Sequence, residues 1–395
     1  MRDRPATTSF GRYLFRNPAL RTAMRLADAT AGLLNRRASV TQPIPPPRRI
    51  LVSNIAHFGD VVIALAVVPV LKRAFPEAEI GFLAGSWSRE LLELFPDIKW
   101  IHAFDHFLLN RQARTMGGKI GAHWQTFHQA SREIREIHYD VGIELFYFLQ
   151  NAIPLLWWSG IPARIGYTSG GLGPLLTHPM EWHYKNQHVL AYHLQLLAYL
   201  GIDEPVPSRL VWPPRKSSPT PVVVPPEKYD VVIHPGGGAG FRAWPLERWR
   251  AVVKALSDRG YRMVFTGRGM SEAKNIETIS RDIPNCLDLC DRLDWAQFIR
   301  VIEGARLLVG IESVAGHFAA AADIPSVLVY TGTVNPRTFG PLSEKLHLLS
   351  HSVPCAPCFL THGCDGMECV RNVSAETVLE ACIKTLVPVS TPSSL

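Results

Sequence analysis

RILVSNIAHFGDVVIALAVVPVLKRAF, residues 49–75, passes from a short apolar run, through a loop with a glycine and an aspartate, into a long helical pattern. Ile50, Leu51 and Val52 read as a buried strand. Residues 53–58 form the loop, Gly59 gives it backbone freedom, and the short acceptor side chain of Asp60 suits the N-cap of the helix that follows. This order puts Asp60 at the carboxyl edge of a sheet, where open α/β folds bind their ligands. Asp60 is therefore either a helix cap or a functional carboxylate, and spacing alone does not separate the two.

The same alternation continues outward from this stretch. Strand-like runs at 79–84, 100–104 and 140–146 are separated by helical patterns at 61–74, 89–95 and 124–137, an order that implies βαβ units and a parallel sheet. Residues 164–167 add a strand and NQHVLAYHLQLLAYL (186–200) a helix, closing a first domain over 50–204. Residues 205–228 hold eight prolines and little periodicity, so they read as a linker. A second alternating segment, 229–395, opens with YDVVIHPGGG (229–238). Its strands recur at 262–266, 307–311 and 326–330, between helical patterns at 246–258, 295–304 and 315–322. Two Rossmann-like halves are expected.

Residues 1–49 stand apart. Phe10, Tyr13, Leu14, Leu20, Met24, Leu26 and Ala27 alternate with Arg12, Arg16, Arg21 and Arg25, the pattern of a basic amphipathic helix able to lie on an anionic membrane or to pack on the body of the protein. Pro18 interrupts that pattern. QPIPPPR (42–48) is a stiff connector into the first strand.

Composition narrows the class. A chain of 395 residues can build two domains, and 47% hydrophobic with 19% charged residues describes a folded protein. A net charge of +7 suits an anionic partner: a nucleotide sugar, a phosphorylated glycan or an acidic membrane surface. Nucleic acid is not expected, because there is neither a recognition motif nor a dense basic run. The sequence has no apolar stretch of about twenty residues to cross a membrane and no secretory signal, so a cytoplasmic, peripherally attached protein is expected.

Three constellations in the second half can carry chemistry. His234-Pro235-Gly236-Gly237-Gly238, with Phe241-Arg242-Ala243-Trp244-Pro245 behind it, is a strand ending in glycines before a helix, whose exposed N–H groups can hold a phosphate; Arg242 adds charged donors, unless it is a plain surface arginine. GIESVAGHFAAA (310–321) places Ser313 and the start of a helix after a buried strand, with His317 as ligand or packing residue. Cys355, Cys358, Cys364 and Cys369 have the spacing of a small tetrathiolate metal site, zinc or iron, with free thiols or disulfides as the alternatives.

These residues resemble glycosyltransferase family 9, whose best-known members are the lipopolysaccharide heptosyltransferases. The family opens with a hydrophobic strand, a loop ending in Gly-Asp and a hydrophobic helix, then Phe-Pro-x-Ala-x-Ile, which residues 50–85 match. In the second half it has Pro-Gly, a basic residue and Trp-Pro; a Gly-rich strand end, matched by Thr266-Gly267-Arg268-Gly269; and Gly-x-Asp-Ser-Gly-x-x-His-x-Ala-Ala-Ala. Here Arg242 stands for the usual Lys, Glu312 for Asp and Val314 for Gly. The resemblance implies a GT-B architecture, two Rossmann-like domains facing each other across a cleft, and an inverting sugar transfer from a nucleotide-diphosphate sugar to an envelope glycan or glycolipid. It implies Asp60 as the catalytic residue and Gly236, Gly237, Arg242, Gly267, Glu272, Glu312, Ser313 and His317 on the donor, with Glu272 near the nucleoside. No catalytic cofactor is required, and any metal at the cysteines would lie well away from the sugar. A GT-B-like sugar-nucleotide epimerase and an inactive nucleotide-sugar binding module are the alternatives, the latter because Glu312 and Val314 depart from the donor motif.

Overall fold

A computed structural model describes residues 13–15, 17–35, 43–113, 115–216, 229–360 and 362–387. Its strands form two separate six-stranded sheets, one in each of two compact units. In the first unit, β1 (Arg49–Ser53), β2 (Glu79–Ala84), β3 (Ile98–Ala103), β4 (Val141–Glu144), β5 (Ala163–Tyr167) and β6 (His178–Met180) lie in the order β3-β2-β1-β4-β5-β6, every pair parallel. Ile50, Leu51 and Val52 are fully buried, as a central parallel strand covered on both faces requires.

The second unit repeats this winding. Its strands are β7 (Val231–His234), β8 (Met263–Phe265), β9 (Cys286–Asp288), β10 (Leu307–Ile311), β11 (Ser326–Val329) and β12 (Leu346–Leu349), in the order β12-β11-β10-β7-β8-β9, again all parallel. Renumbered from its own first strand, that is the 3-2-1-4-5-6 order of a Rossmann sheet. The strand order therefore reverses between β1 and β4 in one unit and between β7 and β10 in the other, and such a switch point is where open α/β sheets bind ligands.

Where sequence and structure differ, the causes are local. The helix expected over 61–74 is two, Phe58–Ala64 and Val67–Ala74, broken at Leu65 and Ala66. Pro69 explains the break, since its ring has no N–H to give and collides with the carbonyl four residues back, that of Leu65. The helix expected over 124–137 begins earlier, at Met116, with Thr115 accepting from the Gly118 N–H at its start. Ahead of the first sheet, Pro18 opens the Pro18–Leu34 helix instead of interrupting one, and Asn17 caps it by accepting from the Leu20 N–H at 3.1 Å. This helix packs on the body: buried Tyr13 donates to Asp28 at 2.7 Å, and Asp28 accepts the Leu172 N–H at 2.7 Å. Phe10, Arg12 and Arg16 lie outside the described residues.

The described part of the proline-rich stretch, residues 205–216, is anchored. Leu210 donates to the Leu342 carbonyl at 3.0 Å, so Pro207–Leu210 belongs with the second unit. Val211–Lys216 belongs with the first, held by the Trp212 indole on the Val62 carbonyl (3.1 Å) and the Lys216 N–H on that of Leu94 (2.8 Å). Among the described residues, no helix is long and apolar enough to cross a membrane.

Candidate active site

Asp60 follows β1 at the first switch point, but it is not the N-cap. His57 takes that place and Asp60 is the third helical residue, its carboxylate reaching back to accept the His57 N–H at 3.3 Å. The carboxylate is half-buried. Burial first, and then the Asp60 charge, push the Tyr147 hydroxyl well above its usual range. Tyr147 itself stacks on Trp182, ring centroids 5.2 Å apart, in a cluster with Tyr192 and Tyr167.

The last residue of β4, Glu144, was not singled out by sequence. It is fully buried and holds the switch-point loop, accepting from the Ser53 hydroxyl (2.8 Å) and the N–H groups of Phe146 (3.0 Å) and Ala152 (2.8 Å). Burial pushes its carboxyl up to about 7 against the pull of those three donors. A raised folded-state value means the folded protein binds the proton more tightly than the unfolded chain, so stability is full below the unfolded value and falls as pH rises. We therefore expect the wild type to lose stability relative to Glu144→Gln between about pH 4.5 and about pH 7. Denaturant unfolding of both proteins across that range checks it, and a constant difference would refute it.

In the second unit, residues from four strand ends converge. His234, at the end of β7, is buried and bonds the Thr266 hydroxyl past β8 at 2.9 Å; burial lowers its imidazole to about 4, so it is neutral near pH 7. Gly236 and Gly237 follow. A Cβ on Gly236 would fall 2.1 Å from the carboxylate carbon of Glu272, so a side chain there would displace that carboxylate. Glu272 accepts from the N–H groups of Arg268 (2.8 Å) and Gly237 and so ties the two glycine loops together, and burial raises its pKa. Gly267 adjoins the same carboxylate. Glu272 is thus engaged in loop pinning, a role that the expectation of a nucleoside contact did not include.

Arg242 ends a short turn, Gly240–Arg242, fixed from behind by buried Trp244, whose indole donates to the Val373 carbonyl at 2.9 Å. Its guanidinium lies 3.2 Å from Glu312, just past β10. Glu312 also accepts from the Thr331 hydroxyl at 2.8 Å, and Thr331 bonds Thr333 at 2.7 Å. Burial raises the Glu312 pKa, opposed by Arg242 and Thr331. Ser313 caps the Val314–Ala321 helix without spending its hydroxyl on the cap. Both Ser313 Oγ and Arg242 Nε are buried with no hydrogen-bond partner in the described structure, a costly arrangement for polar groups unless something else fills the role. Val314 is the first residue of the helix and does not disturb it, and His317 is buried one turn further on.

The four cysteines do not form the expected ligand set. Cys369 is buried in the apolar core, Cys355 and Cys364 are exposed, and Cys364 meets the sulfur of Met367 at 3.9 Å. Among the described residues, no group of three or more His, Cys, Asp or Glu side chains is placed to hold a metal ion. Nor is the loop remote: Cys358 and Phe359 donate to the carbonyls of Gly332 and Thr333 at 3.0 and 2.8 Å, beside the threonines that hold Glu312.

Comparison with known proteins gives this geometry a context. Residues 127–365 match the model of glycosyltransferase family 9 (heptosyltransferase). Lipopolysaccharide heptosyltransferase 1 of Pseudomonas aeruginosa is 24% identical over 318 residues, 78% of this chain and 86% of that protein. Lipopolysaccharide heptosyltransferase 3 of Escherichia coli K12 is 24% identical over 293 residues, 70% and 80% of the two chains. Among solved structures, E. coli ADP-heptose LPS heptosyltransferase II aligns with a TM-score of 0.66 at 20% identity, covering 86% of this chain and 98% of its own. E. coli heptosyltransferase WaaC with ADP aligns at 0.64 with 14% identity, covering 85% and 99%. The shared fold is the GT-B type of two Rossmann-like units. Because that family model matches residues 127–365, more than half of the chain, the protein belongs to glycosyltransferase family 9.

Proposed function

We propose that this glycosyltransferase moves a heptose, or a closely related sugar, from a nucleotide-diphosphate donor of the ADP-heptose kind to a bacterial envelope glycan such as the lipopolysaccharide core, with inversion at the anomeric carbon. The observation that carries the reading is the pair of orphaned buried donors, Arg242 Nε and Ser313 Oγ, at the second unit's switch point. They sit beside a glycine loop and a helix start, both suited to an anionic diphosphate. The names of the relatives supply the sugar: they are heptosyltransferases, and one related structure holds ADP-2-deoxy-2-fluoro heptose.

In this reading Asp60 takes the proton of the acceptor hydroxyl as it attacks the anomeric carbon. Arg242, Ser313 and the N–H groups at the start of the Val314–Ala321 helix stabilise the departing diphosphate, and Glu312 orients the Arg242 fork and meets the sugar. These groups supply the charge the scheme needs, so it calls for no cofactor. The acceptor glycolipid places the reaction at the cytoplasmic face of the inner membrane, with the enzyme attached peripherally.

A thermal-shift panel of nucleotide sugars tests the donor. ADP-heptose at 100 times its dissociation constant should stabilise the folded protein by about 2.7 kcal/mol, and matched concentrations of UDP- and GDP-sugars by less. A larger shift with a different base would overturn the donor assignment.

A further inference from the structure

The first unit carries an exposed apolar surface that the sugar-transfer chemistry does not use. On the Met116–Ile137 helix, Met116 is 58% exposed and Trp124 54%, with exposed Ile120 between them at the same four-residue spacing. Residues four apart on a helix share a face. Trp124 packs against Phe127 (centroids 5.8 Å), and Phe127 against Trp158 (6.5 Å), itself 48% exposed. His123 touches Phe107 at 5.5 Å, next to exposed Leu108. Single exposed apolar residues mean nothing, but a contiguous patch marks a binding surface.

Charge says what kind of surface it meets. From residue 106 to residue 132 the sequence has no Asp or Glu, but has Arg111, Arg114, Lys119 and Arg132. Of the flanking acids, Asp105 is buried and accepts from the N–H and hydroxyl of Ser86, Glu133 bonds His102 at 2.8 Å and Gln129 at 2.9 Å, and Glu136 is exposed beside Arg135. Arg135 lies over the Trp158 ring, 5.8 Å from its centroid. Exposed tryptophans among cations match the interface of an anionic bilayer, where indoles sit at headgroup depth and cations meet the lipid phosphates. The patch also adjoins the candidate base: Arg111 is 3.0 Å from the imidazole of His57, whose backbone N–H is held by Asp60.

We propose that this face, centred on Ile120 and Trp124, is the membrane-docking surface of the protein, and that it brings Asp60 to acceptors embedded in an anionic leaflet. The proposal rests on the reading of the acceptor as a glycolipid. It also shifts attachment from the N-terminal segment, whose Tyr13 and Asp28 are engaged with the body, although Leu26, Leu33 and Leu34 of its helix stay exposed.

Co-sedimentation of the full chain with phosphatidylglycerol–phosphatidylcholine vesicles tests it, with Trp124→Glu and Ile120→Glu compared against Leu33→Glu. All are exposed positions, and equal thermal midpoints confirm folding. The wild type should bind, more weakly with rising salt because exposed charges are screened over about 10 Å at 0.1 M. Trp124→Glu and Ile120→Glu should each lower partitioning about tenfold or more, since a buried apolar contact is replaced by a repelled charge. Unchanged binding in both variants, or no binding by the wild type, would overturn the proposal. So would a dimer in light scattering that Trp124→Glu dissociates, which would make the face an interface between copies. Transfer by the wild type to a deacylated, water-soluble acceptor separates the two readings: transfer without vesicle binding removes the docking surface and leaves the enzyme reading standing.

Discussion

Asp60→Asn is expected to lower turnover by about 10²–10⁴-fold, the scale on which a positioned general base contributes. Asparagine keeps an oxygen where the carboxylate accepts the His57 N–H, so the start of the Phe58–Ala64 helix should survive. What it removes is the charge and the ability to take a proton, at a residue that follows the central strand of the first unit at its switch point. Donor affinity should hardly change, because the groups proposed to bind the diphosphate belong to the other unit. The check is steady-state kinetics together with calorimetry on ADP. A variant with near-wild-type turnover would remove Asp60 from the mechanism, and one that loses ADP binding equally would make it a structural residue.

Arg242→Ala is expected to weaken ADP binding by about 1.5–3 kcal/mol, the range for hydrogen bonds to a charged group. The structure adds a second consequence. Arg242 lies 3.2 Å from Glu312, whose side chain is only 10% exposed, and removing one partner of a buried pair leaves the other charge uncompensated. The single variant should therefore also be less stable, and Glu312 harder to ionise, since Arg242 is the main influence lowering its pKa. Arg242→Ala combined with Glu312→Gln should restore much of the stability without restoring affinity. Calorimetry and denaturant unfolding on the three proteins separate these effects. Unchanged ADP affinity in the single variant would refute the assignment of Arg242 to the diphosphate, whatever its stability.

The reach of the sequence can be judged from these same residues. The strand before Asp60, the glycines after His234 and the Glu312-Ser313 pair were legible because each follows an apolar run that only a buried parallel strand explains. The short edge strands β6, β9 and β12 were not, since they are three or four residues long and lack a clean apolar run. The start of the Met116–Ile137 helix was hidden by Gly117, Gly118 and Gly121, which lower helix propensity without preventing a helix that packs on a sheet. The Arg242–Glu312 pair joins residues seventy positions apart and became visible only in the fold. Glu144 was passed over because a carboxylate inside an apolar strand end gives no local signal of the three donors that meet it. At Cys369 the spacing suggested chemistry, while its place in the apolar core gave no local signal in the sequence.

Transfer of one sugar between two bound molecules is tested most directly by mass spectrometry of ADP-heptose incubated with the enzyme, with and without a heptose-deficient lipopolysaccharide-core acceptor. ADP and an acceptor one heptosyl unit heavier are expected when both substrates are present, and intact donor when the acceptor is omitted. Conversion of the donor sugar to an isomer without acceptor, as an epimerase would give, or tight donor binding with no turnover under either condition, would contradict it.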